Sequence, residues 1–528
     1  MSVATPPTAS GAGMSRPRAA AQDGEYPWLP PAQLALLTVA LGLGVFMNSL
    51  DTSIANVSIP TIAGDLAVSA DNGTFIITSF AVANAVAVPI SGWLAKRFGE
   101  VRLFVVCTLL FTLFSLTCGL APTFPLLLVS RALQGAAAGP MIPISLSLLL
   151  ANYPKARQGF ANGIWGMTAI VGPVAGPVLG GIITDDYRWN WIFYINVPFG
   201  IAVASLVWIL LRDRETKIAH EAVDVIGLAF LIVGVFCLQI MLDKGNDDAW
   251  FQSPFIITLA IVAALALLLF LAWEWTEKQP LVDLRLFANR NFSVACITMT
   301  LGYMAYFSGV VLLPLWLQTA LPSNYNATWA GFATASIGVF GIFFSPIAGW
   351  LSDKYDPRAM VSIGMLIFAG VSFMVAFANT DINFAKVFLL RIPWGIGMPF
   401  FFVPLTTICF STMARENIAA ASSLFNFARL EALSIGTSVS VALWDKREAI
   451  HAQHMTSLVD PTNPAIHAFL RRATELGLDA RQAWALLSHE IMNQGFMIGL
   501  NEIYWVSGWL FIVLVVLVWF ARPQRQRA

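Results

Sequence analysis

Charge is scarce in this chain, and so are the residues on which most enzyme chemistry depends. Asp, Glu, Lys and Arg together make up 11% of 528 residues, where a soluble globular protein carries about a quarter. With 57% hydrophobic residues and a mean hydropathy of +0.72, water cannot be the solvent for most of the folded surface. The 30 basic and 30 acidic residues cancel, so nothing in the net charge points to a nucleic-acid partner. The five cysteines (Cys107, Cys118, Cys237, Cys296 and Cys409) stand singly in apolar stretches, with no C-x-x-C pair and no Cys/His cluster. They read as small buried hydrophobes, and no metal or cofactor is expected. No lysine follows a glycine, which excludes the Gly-Lys step of a phosphate-binding loop and with it an ATPase of that kind. No nucleophile and base stand at catalytic spacing, so an enzyme is not expected. Residues 1–32 lack the continuous apolar core of a signal peptide and read as a disordered cytoplasmic tail.

What the chain has in abundance is apolar windows. A hydrocarbon core about 30 Å thick needs about 20 apolar residues per helix, and such windows recur fourteen times between residues 34 and 521. The spacing predicts an all-α polytopic membrane protein with fourteen spans, the last two at 418–444 and 500–521. Lys and Arg gather in alternate loops, at Lys96, Arg97 and Arg102, at Lys155 and Arg157, at Arg212, Arg214 and Lys217, and again at Lys354 and Arg358. Cytoplasmic loops retain positive charge, so both termini are expected in the cytoplasm. One outer segment, 446–499, is long and polar. Within it Asp479 is placed to cap a helix whose Ala480, Ala483, Trp484, Leu487 and Ile491 form one apolar stripe, for its own bundle, the membrane surface or a partner.

The chain also repeats itself. Pro89–Arg102 returns as Pro346–Arg358 at an offset of about 257, and Arg131, Gly135 and Pro140 are echoed by Arg391, Gly395 and Pro399 at about 260. The expected organisation is a tail (1–32), a six-helix bundle (33–212), an inserted two-helix linker (213–280), a second six-helix bundle (281–521) containing the outer loop 446–499, and a tail (522–528). Parallel repeated halves place a transport path between them, near the midplane.

An ionisable group inside a membrane is costly, and each one is a functional hypothesis. Asp51 lies in the first span, Arg131 in the fourth, Arg429 and Glu431 in the thirteenth, and Glu502 opens the fourteenth. Two readings of Asp51 stand: a carboxylate that trades protons as the cavity opens to each side, or a permanent Asp51–Arg131 pair that orders the bundle. Glu431 is two residues from Arg429, and helical neighbours two apart face different ways. Glu502 is close enough to the outer interface to be an ordinary solvated carboxylate. Gly92, Arg97, Gly99 and Arg102 combine a glycine turn with cations at a helix end, which suits a gate or ordinary topology. Gly172, Gly176 and Gly180 fall four apart on one face beside Pro173, a pattern for close helix packing at a moving interface.

These motifs, namely Leu50–Pro60, the loop Gly92–Arg102, Arg131–Gly135, Gly172–Gly181, Trp189–Pro198 and Ala420–Arg429, together resemble the fourteen-span drug:proton antiporter branch of the major facilitator superfamily, its EmrB-type multidrug efflux pumps in particular. The resemblance implies the major facilitator fold, two six-helix bundles plus an inserted pair. It implies that Asp51 is the proton-coupling acid and Arg131 the arginine tuning it; Glu431, a departure where the family has an uncharged residue, and Glu502 are further coupling candidates from their positions in the spans. Asn56, Gln134, Asn426 and Arg429 are expected on the substrate cavity. The step Gly172-Pro173 marks an antiporter, and Asp353 is the loop acid of a gate whose first-half counterpart is Lys96. Export of hydrophobic drugs or toxic compounds from a bacterial inner membrane follows, with a periplasmic membrane fusion protein and an outer-membrane channel as partners. The alternative is export of one endogenous product, such as a siderophore or lipid precursor.

Overall fold

The computed structural model describes residues 29–216, 218–219, 224–319, 327–380, 382, 384–460 and 463–523. Most of the expected tail 1–32, Lys217, and all but two residues of the tail 522–528 lie outside them. Among the described residues there is no strand. The long helices are α1 (Pro31–Asp65), α2 (Phe75–Phe98), α3 (Glu100–Leu120), α4 (Phe124–Asn152), α5 (Gln158–Asp186), α6 (Trp191–Leu211), α7 (Val225–Lys244), α8 (Pro254–Thr276), α9 (Arg290–Thr319), α10 (Ala327–Lys354), α11 (Pro357–Ala376), α12 (Phe384–Phe410), α13 (Ile418–Ser457) and α14 (Ala480–Val518).

Thirteen of these are long and apolar enough to cross a membrane. The exception is α13, whose buried face carries Ser422, Ser423, Asn426, Glu431 and Ser440. Its polar groups are turned toward other helices instead of lipid, which depresses its hydropathy without changing its place in the bundle. At the other extreme, α8 has the most apolar window, and Leu265, Leu268 and Leu269 stand exposed on it, as lipid-facing residues do.

The long polar segment 446–499, expected to be structured, is largely helix. α13 continues to Ser457 and α14 already begins at Ala480, so the two project past the predicted spans and are joined through a short helix, Pro464–Glu475. Polarity had marked these turns as loop, but helix propensity and mutual packing extend them. The indole nitrogen of Trp444 donates to the carbonyl of Phe496 at 2.8 Å across the pair. Asp479 does cap α14, in a reciprocal capping box with Gln482. On the stripe that follows, Ala483 and Leu487 are buried within the chain itself while Trp484 is exposed.

The first six helices pack mainly on one another, with α1 against α5, α2 against α4 and α3 against α6; α9 to α14 do likewise, with α10 and α11 against α12 and α13 against α9 and α14. Between the sets, α5 meets α10 and α2 meets α13. The inserted α7 touches α8, α2 and α13, and α8 rests mainly on α7.

Candidate functional site

Asp51 is fully buried on α1, and its carboxylate is gripped from two other helices. From α4, Arg131 Nη1 donates to Oδ2 at 2.5 Å and Gln134 Nε2 donates to Oδ1 at 3.0 Å. From the start of α6, Asn196 Nδ2 donates to Oδ1 at 3.0 Å. Three donors, one charged, satisfy a carboxylate that hydrocarbon would otherwise penalise heavily. The arginine is itself fixed: Nε donates to the Ile76 carbonyl at 3.1 Å, Nη1 also reaches Gln134 Oε1 at 2.9 Å, and Cζ lies 4.4 Å from the Phe80 ring centroid. Its Nη2 is the spare donor, buried without a partner among the described residues. Asn196 is held in turn by α3, donating to Ser115 Oγ at 3.1 Å, while Ser115 donates to the Phe193 carbonyl at 2.8 Å.

The glycine stripe of α5 lies against α1 at this level. A Cβ on Gly172 would stand 2.8 Å from the backbone nitrogen of Leu50, and one on Gly180 would stand 2.7 Å from the carbonyl of Ile54. Ser53 Oγ donates to the Gly172 carbonyl at 3.2 Å through this close approach. The stripe thus seats the turn of α1 that carries Asp51. Pro173 turns away and is exposed.

The other expected site residues disperse. Gln134 belongs to the Asp51 cluster and is fully buried, so it contributes no wall to an open cavity. Asn56 is exposed on the C-terminal half of α1. Asn426 is buried, donating to the Ser422 carbonyl at 2.9 Å, and its Oδ1 is unpartnered among the described residues. Arg429 stands between aromatic rings, its Cζ 5.9 Å from Tyr303 and 5.7 Å from Phe402, and Phe402 stacks on Trp165 of α5. Glu431 is separate from both and meets Gln239 of α7. Glu502 forms a half-exposed cluster with Arg447, at 2.5 Å, and His451, at 3.1 Å. It borders an apolar cleft of about 760 Å³ between α9, α11, α13 and α14, remote from Asp51 in the fold.

Several of the residues expected of a gate lie where the two halves meet. Asp353, ending α10, accepts from the amides of Gly159 and Phe160 at 2.8 and 2.9 Å, a carboxylate on the positive end of α5. Ser423 of α13 donates to the carbonyls of Val88 and Pro89 of α2, and Ser422 donates to the Pro143 carbonyl of α4. Gly92 admits the backbone of Ala420, 2.7 Å from where a Cβ would sit. On the first-half loop, Gly99 has φ +88°, a left-handed turn suited to glycine, and ends α2. Glu215 then accepts from the amides of Val101 and Arg102 at 3.0 and 2.9 Å and lies 3.9 Å from the Arg102 side chain. Arg97 lies over Trp93, 5.5 Å from its centroid.

Sequence reasoning missed Asn196, Ser115 and Gln239 as site residues. Asn196 was inside a quoted motif, and Gln239 is an amide within an otherwise apolar span, a signal of the same kind as a buried charge.

A profile described as Major Facilitator Superfamily matches residues 41–437. Among curated proteins, the chain is 46% identical over 500 residues to the multidrug export protein EmrB of Haemophilus influenzae, covering 94% of this chain and 98% of that one. It is 45% identical over 496 residues to EmrB of Escherichia coli, covering 94% and 96%, and 44% identical over 499 residues to the fatty acid resistance protein FarB of Neisseria gonorrhoeae, covering 94% and 98%. Two solved structures share its fold. They are the proton:xylose symporter XylE, with TM-score 0.60 and 14% identity over 93% of this chain and 96% of that one, and the human organic anion transporter MFSD10, with TM-score 0.59 and 13% identity over 93% and 100%.

Proposed function

The chain belongs to the Major Facilitator Superfamily, and from that membership we propose that it is a proton-coupled antiporter exporting hydrophobic drugs or toxic compounds from the cytoplasm or inner leaflet. The observation that carries the reading is the Asp51 cluster: a fully buried carboxylate with one charged and two amide donors on two neighbouring helices. Ionised, Asp51 and Arg131 form a neutral pair. Protonated, Asp51 leaves an uncompensated guanidinium in a low-dielectric bundle, and that imbalance favours a different arrangement of α1 against α4 and α6. A proton taken up in one arrangement and released in the other ties helix movement to the gradient.

The multidrug export relatives support drug efflux, and the half-buried Arg429 among Tyr303, Phe402 and Trp165 suits flat, lipophilic molecules, including weak acids. The two repeated halves, 33–212 and 281–521, act as the moving bodies, with 213–280 inserted between them. The protein resides in a bacterial inner membrane with both termini cytoplasmic, and works with a periplasmic membrane fusion protein and an outer-membrane channel. The contacts through Asp353, Ser422 and Ser423 support reading this conformation as one closed toward the cytoplasm.

The test is transport by purified protein in liposomes, using a panel of fluorescent dyes, uncouplers and antibiotics. An imposed pH gradient accelerates exchange of at least one panel compound. Equal rates with and without the gradient would remove proton coupling, and transport of none of the panel would favour an exporter of a single endogenous product.

A further inference from the structure

Gln239 stands on α7, outside both six-helix halves, yet its amide reaches into the second. Nε2 donates to Oε1 of Glu431 at 3.1 Å and to Oε2 at 3.0 Å. Both residues are buried, at 7% and 8% exposure. No other hydrogen-bond donor meets Glu431 among the described residues. A buried carboxyl group is costly without hydrogen-bond partners, and here its partner comes from an inserted helix.

Four charged side chains of the neighbouring helices are engaged elsewhere, and Asp445 of α13 meets Asn246. Arg429 of α13 faces Tyr303 and Phe402, Asp243 of α7 accepts from Thr78 of α2 at 2.5 Å, Lys244 lies 3.3 Å from Asp247, and Glu502 of α14 pairs with Arg447. α7 also holds α13 through its backbone, where Ser438 Oγ donates to the Leu242 carbonyl at 2.7 Å. The stretch Gln239–Lys244 therefore grips α2 of the first half and α13 of the second at once, while the direct contacts between α2 and α13 lie near their inner ends.

We propose that Gln239 is the positioning residue of Glu431, and that the inserted helix pair thereby belongs to the coupling machinery, seating a second exchangeable carboxylate where α7 bridges the two halves. This rests on the proton-exchange reading above. A neutral amide suits this role because it donates to the ionised carboxylate, and after a proton binds Glu431 the contact weakens without leaving a stranded charge. α13 is then freer to move against α7 and α2, and release of the proton to the other side restores the grip.

The full-length protein in liposomes tests this through Gln239→Leu, Glu431→Gln and the double variant. Each single change is expected to slow gradient-driven exchange about tenfold, the scale of a lost hydrogen bond to a charged group, with the double variant no slower than either single one. Losses that multiply in the double variant would overturn the proposal, since they would make the two residues independent. Infrared spectroscopy supplies a readout that needs no turnover. The carboxylate stretching band that disappears in Glu431→Gln should shift in Gln239→Leu, and an unmoved band would refute positioning even if transport fell. Should the leucine variant fail to fold, Gln239→Asn, which withdraws the amide by one methylene, is read the same way. If the wild type showed no gradient drive, the proton reading would fall, while the infrared shift would still decide whether Gln239 positions Glu431.

Discussion

Arg131 approaches Asp51 to 2.5 Å with one terminal nitrogen while its other terminal nitrogen, Nη2, has no partner among the described residues. An unmet buried donor costs about 1–3 kcal/mol. On the proton-exchange reading proposed above, the spare nitrogen is free to take a new partner once Asp51 is protonated. Asp51→Asn keeps the shape of the side chain and removes the exchangeable proton. Gradient-driven export is expected to fall to background while substrate binding remains measurable, checked by dye exchange and equilibrium binding on the same preparation. Retained active transport would move the coupling role to Glu431.

Glu502 offers the contrast. Its carboxylate is over a third exposed and paired with Arg447 and His451 in the middle of α14. Exposed pairs contribute little. Glu502→Gln should leave gradient-driven export within about a factor of two of wild type, and a loss as deep as that of Asp51→Asn would bring Glu502 into the coupling path.

Gly172 brings α5 onto the backbone of α1 beside Asp51. Gly172→Val would force the helices apart or off rotamer, at about 1–3 kcal/mol or more. The thermal midpoint of the detergent-solubilised protein should drop, and export should drop further than stability alone explains because the Asp51 turn is displaced. Gly181, which has open space beyond it, is the control, and Gly181→Ala should change neither.

Asp353 of α10 links the two halves by accepting two amides of α5. Asp353→Asn removes the charge at the helix end, worth about 0.3–1 kcal/mol, up to about 2 kcal/mol where partly buried. The conformational equilibrium should shift toward an opened inner face. A cysteine introduced at Ala420, which packs on Gly92, should then react faster with a polar maleimide supplied from the cytoplasmic side; an unchanged rate would show that the serine contacts suffice.

Asp356 begins α11 as its N-cap and accepts from the backbone and side chain of Arg358, which hold its carboxyl below the ordinary value of 3.8. The folded state binds this proton less readily than the unfolded one. The contribution is therefore complete above about pH 4 and is lost as pH falls through the folded value. Asp356→Ala is expected to lower stability at pH 7 by about 1 kcal/mol, mostly the lost cap, since solvent screens a carboxyl that is a third exposed. Thermal unfolding curves should converge with wild type in stronger acid.

Much of this protein is legible in one dimension because the membrane imposes its own ruler. Twenty apolar residues per span, lysine and arginine in alternate loops, and a repeat at offsets near 257 and 260 give helices, topology and symmetry without any contact being known. Asp51 and Arg131 announce themselves because a charge in an apolar run is conspicuous. The sequence read α13 as a span in spite of its serines and Glu431, but misplaced its outer end, because polarity marks both a loop and a helix shielded by neighbours.

What a linear pattern cannot carry is which polar side chain answers which. Gln134 reads from the sequence as cavity wall, and the packing of α1 on α4 makes it a ligand of Asp51 instead. Asn196 is 145 residues from Asp51 and Gln239 is 192 from Glu431. Those pairings depend on where helices touch, and helix contacts follow from side-chain volumes summed over whole faces. The sequence by itself determined the helices, their repeat and the acid at the centre; tertiary structure decided the partners that hold it, because a hydrogen bond is set by a few tenths of an ångström that no spacing along the chain records.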